Sequence, residues 1–178
     1  MSLLRLLFLI IAVTITLGAS TVAADSDSNT TISMVRNLAE TESVDYHVVM
    51  LIAVNRERAA FGLPKLCLNN KLRNAALLHS RDMAKRNFMS HTGSTGSTMS
   101  SRAAIQGYRW TFLAENVAAG HATVASVVAS WMKSKPHRAN ILSSKVKMFE
   151  CGYAYSSSSK YKHYWTQDFA TGSGERCN

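Results

Sequence analysis

Two histidines and a glutamate stand out as residues whose types suit one shared task. His91 lies in the stretch SHTGS, Glu115 in AEN, and His137 in WMKSKPHRANIL, residues 131–142. Neutral imidazole and carboxylate are good ligands for zinc or another divalent metal, and three protein ligands leave one position open for water. Such a centre could run a hydrolysis, with Glu115 as ligand or general base. The three residues sit on separate segments without a fixed local spacing such as HExxH, so the pattern points only weakly. A chain with 6 His and 11 Asp or Glu offers many such triples. The plainer reading makes Glu115 a buried acceptor of backbone or asparagine donors and His137 a structural residue at a helix start. A Ser-His-acid triad built on Ser134 or Ser90 has no glycine-flanked turn to present its serine. None of Cys67, Cys151 and Cys177 has a helix-start setting that would lower a thiol pKa, which argues against a cysteine nucleophile.

The elements that must position these side chains can be read in turn. Thr123 caps a helix with Val124, Val127, Val128 and Trp131 on one side, and Lys135-Pro136 stops it, because proline disfavours helical geometry in the residue before it. His137, Arg138 and Asn140 follow, with Ile141 and Leu142 to anchor the turn in a core. Upstream, Ser43 or Asp45 caps a helix in which Val44, Val48, Leu51, Ile52 and Asn55 share a face, and Gly62 and Pro64 end it. A second helix over 70–88 turns Leu72, Ala75, Ala76, His79 and Met83 inward, with His79 as a core histidine satisfied by one hydrogen bond. Residues 92–101, rich in Ser, Thr and Gly, form a loop that caps a short helix over 102–106. The glycine spacing fits no phosphate cradle. Residues 112–120, around Glu115-Asn116, read as a strand or extended link, and 148–155 with 161–169 as a β-hairpin. Helices flanking a small antiparallel sheet make an α+β fold built in layers, without internal repeats.

Residues 1–24 have the layout of a secretory signal peptide: Arg5, an apolar run over 6–17, and Val22-Ala23-Ala24. The apolar run is shorter than the ~20 residues that cross a bilayer, and no second span follows it. A polar leader over 25–42 carries the glycosylation sequon Asn29-Thr30-Thr31, and a single domain over 43–178 completes the expected organisation. The formal net charge is +9, with Lys and Arg scattered rather than gathered in a run. That favours weak attraction to anionic surfaces such as lipid head groups over reading of nucleic acid. In an oxidising compartment three cysteines imply one bridge and one leftover thiol, with all three pairings open. The bridge adds about 2–4 kcal/mol if unstrained.

Several motifs in order carry a resemblance. Asn55-x-x-Arg58 is followed by Gly62-Leu63-Pro64, then His91-Thr92-Gly93, then Ala114-Glu115-Asn116. Next come Trp131-Met132-x-Ser134-x-x-His137-Arg138-x-Asn140-Ile141-Leu142 and Tyr164-Trp165-Thr166-Gln167. From about residue 44 to 169 the chain resembles the CAP superfamily of cysteine-rich secretory proteins, antigen 5 and pathogenesis-related proteins, in its short microbial SCP-like extracellular form. The resemblance implies a three-layer α-β-α sandwich whose cleft is lined by His91, Glu115 and His137, with Asn116 and Ser134 beside them. It implies that the cleft can take zinc or another divalent ion. It further implies binding of a sterol, a fatty acid or an extracellular or cell-surface partner, in defence, virulence or signalling, with no catalytic activity common to the family. Where animal and plant forms carry a second glutamate, this chain has Ser134, which removes one anionic group and should weaken metal affinity. Nothing of the animal forms' extra cysteine-rich domain carries over.

Overall fold

The structure is a computed structural model that describes residues 45–178. The expected signal peptide, the leader with its Asn29 sequon, and Val44 lie outside the described residues. Of the two candidate caps for the first helix, Asp45 accepts from the His47 amide at 3.0 Å and opens α1 (Tyr46–Ala60). Gly62, at φ 66°, closes it, letting the Leu63 amide reach the Arg58 carbonyl and its own amide reach that of Ala59. The buried stripe of α1 is His47, Met50, Val54 and Arg58. The predicted face was different: Val48 and Ile52 are 45% and 63% exposed. The guanidinium of Arg58 explains the rotation, because it is 1% exposed and donates to the carbonyls of Pro64, Ile141 and Ser143 at 2.8–2.9 Å. A buried arginine looks polar to any count of apolar period.

A two-residue strand, β1 (Cys67–Leu68), leads into α2 (Asn70–Arg86), capped by the Asn69 side chain and stopped by Asn87 in the left-handed region. Here the inward face is the predicted one, Leu72, Ala75, Ala76, His79 and Met83, joined by Ser80 and Ala84. Its small residues let the helix lie close on the sheet. A Cβ on Gly152 would overlap the Ala76 carbonyl, and Ser80 Oγ donates to the Gly152 carbonyl at 3.0 Å. Then come α3 (Met99–Ile105), begun by a capping box of Thr98 and Ser101, and the long strand β2 (Trp110–Ala119). A second capping box, Thr123 with Ser126, opens α4 (Val124–Lys133). Ser134 ends it and at once begins α5 (Lys135–Ile141), so the proline break joins two helices instead of releasing a turn. Pro136 sits in the first turn of α5, where its missing N–H costs nothing. The hairpin is β3 (Met148–Tyr155) and β4 (His163–Gly172).

The sheet order is β1-β3-β4-β2, with β1 parallel to β3 and the other pairs antiparallel. The parallel pair makes the sheet mixed; a two-residue strand carries too little alternation to be seen in sequence. On one face Met50, Val54, Val127, Trp131 and Ile141 from α1, α4 and α5 pack against Phe149, Trp165 and Phe169. On the other, Leu72, Ala103 and Tyr108 pack against Met148 and Ala170, and Met83 against Val117 and Tyr164. The result is an α+β sandwich of helix, sheet and helix layers. Cys67 pairs with Cys177, leaving Cys151 as a buried free thiol. The chain end runs beside β1, with the Asn178 amide on the Leu68 carbonyl at 3.0 Å and Lys71 on Glu175 at 2.9 Å. No helix among the described residues is long and apolar enough to cross a membrane.

Candidate functional site

β2 lies at one edge of the sheet, and the period of two along a strand sends its neighbours Glu115 and Asn116 to opposite faces. Asn116 turns toward the α4–α5 side. Its Nδ2 donates to the His137 carbonyl and to Gln167 Oε1, both at 3.1 Å. Asn140 from α5 donates to the Glu115 carbonyl at 3.0 Å and to Asn116 Oδ1 at 2.8 Å, and Trp131 Nε1 donates to the Val117 carbonyl at 3.2 Å. These side chains occupy the edge carbonyls that a bare strand would offer to another strand. They also fix α5, and with it His137, against β2.

Glu115 turns the other way, toward α3 and the 92–101 loop. His91 Nδ1 lies 2.8 Å from Glu115 Oε1, and Arg102 Nη2 bonds Glu115 Oε2. Arg102 Nη1 also donates to the carbonyls of His91 and Ser97 at 3.2 and 3.0 Å, so one guanidinium ties the loop to the strand. His79 makes the single hydrogen bond expected of it, from Nε2 to the Ser90 carbonyl at 2.8 Å, one residue before His91. Burial, followed by the charge of Arg102, lowers its pKa and keeps it neutral. Burial alone would raise the Glu115 pKa, but the hydrogen bond to His91 and the charge of Arg102 hold it below the ordinary value. The hydrogen bond that His91 donates to Glu115 raises the His91 pKa. Burial and then the charge of His91 lower that of His137.

The structure therefore brings His91 and Glu115 into contact, with Asn116 and His137 joined on the far side of the same strand. Ser134 is at the α4–α5 junction and makes no side-chain cap bond. Sequence reasoning missed Arg102, which looks like a surface residue in a helix after a serine-rich loop yet is 6% exposed. It also missed Asp168. This residue pairs in register with Glu115 on β2 and Glu150 on β3, forming a row of three acids across three strands. Asp168 is fully buried, and neither carboxyl oxygen has a hydrogen-bond partner among the described residues. Burial, then the nearby Glu115 charge, raises its pKa well above the usual carboxyl range.

A carboxyl whose folded pKa exceeds its unfolded value keeps a proton that the unfolded chain has released. Stability then falls as pH rises from the unfolded carboxyl range, about 4, toward the folded pKa. Asp168→Asn, which cannot ionise, is expected to melt above the wild type at neutral pH and close to it near about pH 3.5. Thermal melts across that range check this; an offset of equal size at every pH would contradict it.

Beside the His91–Glu115 pair lies a cleft of about 530 Å³, walled by Met99, Trp110, Phe112, Leu113 and Ala114, with Thr92 and Thr98 at its rim. Trp110 is 46% exposed on that wall. Aromatic and aliphatic surface thus meets a charged, hydrogen-bonded pair at one end.

A model of the cysteine-rich secretory protein family (CAP) matches residues 51–169. The Bacillus subtilis (strain 168) protein YkwD is 32% identical over 124 residues, covering 70% of this chain and 46% of its own length. The chain thus spans about half of that relative. An extracellular protein containing an SCP domain from Bacillus anthracis str. Ames aligns with TM-score 0.63 at 26% identity, over 70% of this chain and 40% of that one. An outer surface protein of Borrelia burgdorferi aligns at 0.64 with 15% identity, over 70% and 91% of the two chains. Schistosoma mansoni venom allergen-like protein 4 aligns at 0.54 with 13% identity, over 75% and 92%. At these last two identities the likeness is one of fold alone. The family match runs from the middle of α1 to the residue after Asp168, enclosing all the segments that carry His91, Glu115 and His137, and the chain belongs to the cysteine-rich secretory protein (CAP) family.

Proposed function

We propose that this chain is a secreted, non-enzymatic binding module for an apolar ligand, a sterol or fatty acid, acting in defence, virulence or cell-surface interaction. The observation that carries this is the cleft: about 530 Å³ of space with an exposed aromatic wall ending at His91 and Glu115. That volume lies within the range of about 300–1,000 Å³ typical of small-molecule sites, which pair apolar walls with a few placed polar groups. A hydroxyl or carboxylate head can hydrogen-bond at the polar end while the hydrocarbon lies on Trp110, Phe112 and Leu113. The disulfide supports an oxidising compartment. The extracellular SCP-domain protein of Bacillus anthracis among the structural neighbours supports the same placement.

The residues suit a divalent ion in part. His91 keeps Nε2 uncommitted among the described residues, and His137 has a ring held close by. Glu115 already bonds His91 and Arg102 through its two oxygens, the arrangement of a carboxylate that orients a ligand histidine from behind. A bound zinc ion would supply Lewis-acid polarisation at the cleft's polar end. The metal-assisted hydrolase reading has less support, because a carboxylate paired with arginine and held at low pKa is a weak general base.

Titration of the purified protein with sterols and long-chain fatty acids, followed by tryptophan fluorescence and calorimetry, tests the proposal. Saturable binding is expected, weakened about tenfold or more in Trp110→Ala, for the loss of about 1.4 kcal/mol of aromatic contact. If every sterol and fatty acid tried fails to saturate, the apolar-ligand reading is wrong.

A further inference from the structure

Among the described residues one set of three His, Cys, Asp or Glu donors lies with its ligand atoms all within 4.8 Å of one another: His47, Glu150 and Cys151. It is separate from the cleft, at the opposite edge of the sheet. β1 pairs only with Met148 and Phe149, so the edge of β3 away from β4 has no strand beside it from Glu150 onward. His47 comes from the first turn of α1, where the Asp45 cap fixes its backbone. His47 Nδ1 is 2.8 Å from Glu150 Oε2 and 3.8 Å from Cys151 Sγ.

We infer that His47, Glu150 and Cys151 form a second metal site, for a divalent cation of the zinc class. Tetrahedral zinc with bonds of about 2.05 Å to nitrogen and 2.3 Å to sulfur places those atoms about 3.6 Å apart, near the spacing found here. The nitrogen–oxygen gap must open by roughly half an ångström, within the reach of a small side-chain rotation. The donor set of imidazole, carboxylate and thiol suits zinc, and water completes the fourth position.

A second observation points the same way. Glu150 is fully buried, yet its Oε1 has no hydrogen-bond partner among the described residues, and neither has Arg73 Nε 3.7 Å away. A buried carboxylate is rarely left half satisfied in this way. Charge balance favours the ion as well. Arg73 is also paired with Asp45 at 3.2 Å, so its one guanidinium is shared between the Glu150 and Asp45 carboxylates. Binding replaces the thiol proton by the metal–sulfur bond and releases that proton to solvent. One divalent cation, one thiolate, two carboxylates and one guanidinium then sum to zero. On binding, His47 would shift its proton from Nδ1, which faces Glu150 in the free protein, to Nε2, leaving Nδ1 for the ion.

Cobalt(II) titration of the metal-free protein, with Cys67–Cys177 bridged and Cys151 a free thiol, tests this, because a thiolate on cobalt gives a near-ultraviolet charge-transfer band that histidine and carboxylate sites lack. One equivalent is expected to raise the band, zinc to abolish it by displacement, and one proton to be released per ion. The band should persist in His91→Ala/His137→Ala and disappear in Cys151→Ser and in His47→Gln, with affinity weakened by more than about 100-fold. His47→Gln retains a donor to Glu150, so it reports even if Cys151→Ser fails to fold. No band in the wild type, or a band that survives His47→Gln, overturns the site and leaves a buried ion pair beside a core thiol. Neither result bears on the apolar cleft, whose own titrations stand apart.

Discussion

Arg102→Ala is expected to lower stability by about 3–5 kcal/mol, the cost of removing one partner from a buried ion pair. Arg102 and Glu115 are 6% and 8% exposed, so water cannot take over the missing charge. The substitution also strips donors from the His91 and Ser97 carbonyls, which loosens the loop. Denaturant unfolding near neutral pH measures the loss, and limited proteolysis of the 92–101 loop reports the loosening. Glu115→Gln should recover part of the deficit in the Arg102→Ala background, since the uncompensated charge is then gone. The wild-type pair has its own pH window. Glu115 has a lowered folded pKa, so its contribution is present above the unfolded carboxyl range and is lost as pH falls through the folded value. His91 has a raised pKa, so its contribution is full below the unfolded histidine value and fades as pH rises through the folded one. A loss below about 1 kcal/mol for Arg102→Ala would place the pair among surface ion pairs and contradict the buried geometry.

Trp131→Ala should cost about 3–5 kcal/mol, the range for deleting a large buried aromatic. Trp131 is 1% exposed among Met50, Val127, Ile141 and the strand aromatics, and it holds the β2 edge through its indole N–H. Trp131→Phe separates the two roles: it keeps most of the volume and loses the hydrogen bond to the Val117 carbonyl, for about 1 kcal/mol. Urea melts of both variants check the ratio. If phenylalanine costs as much as alanine, edge coverage outweighs packing.

How much of this was legible in sequence depended on the kind of signal each part leaves. The α2 stripe was clear because five of the seven residues on its inward face, all but His79 and Ser80, are small or apolar, a period that packing alone enforces. The α1 face was misread because its inward stripe includes His47 and Arg58, polar residues buried by partners distant in sequence. The helix break at Pro136 was legible and its aftermath was not, since proline that ends one helix is equally at home in the first turn of the next. Candidate cleft residues were found as types, His91, Glu115 and His137. That the strand carrying Glu115 lies at the sheet edge, with Asn116 holding the His137 carbonyl on one face and Glu115 turned to the other, needed the sheet order, which no local pattern encodes. Arg102 and Asp168 left no trace at all, because a lone arginine and a lone aspartate are ordinary surface residues until the register sets them against Glu115.

The Cys67–Cys177 bridge spans 110 residues, and His91, Glu115, His137 and Asp168 all fall between its two cysteines. Ser94, Thr95 and Gly96 stand exposed at the tip of the loop within that span. A single peptide cut at the tip would therefore separate His91 from Glu115 along the chain without separating them in the molecule. The first piece would keep Cys67 and all of α2, the second the hairpin and Cys177, and the sulfur bond would hold them together. Under oxidising conditions the cleaved protein would migrate as one species heavier by a single water, and only a reductant would reveal that it had been cut.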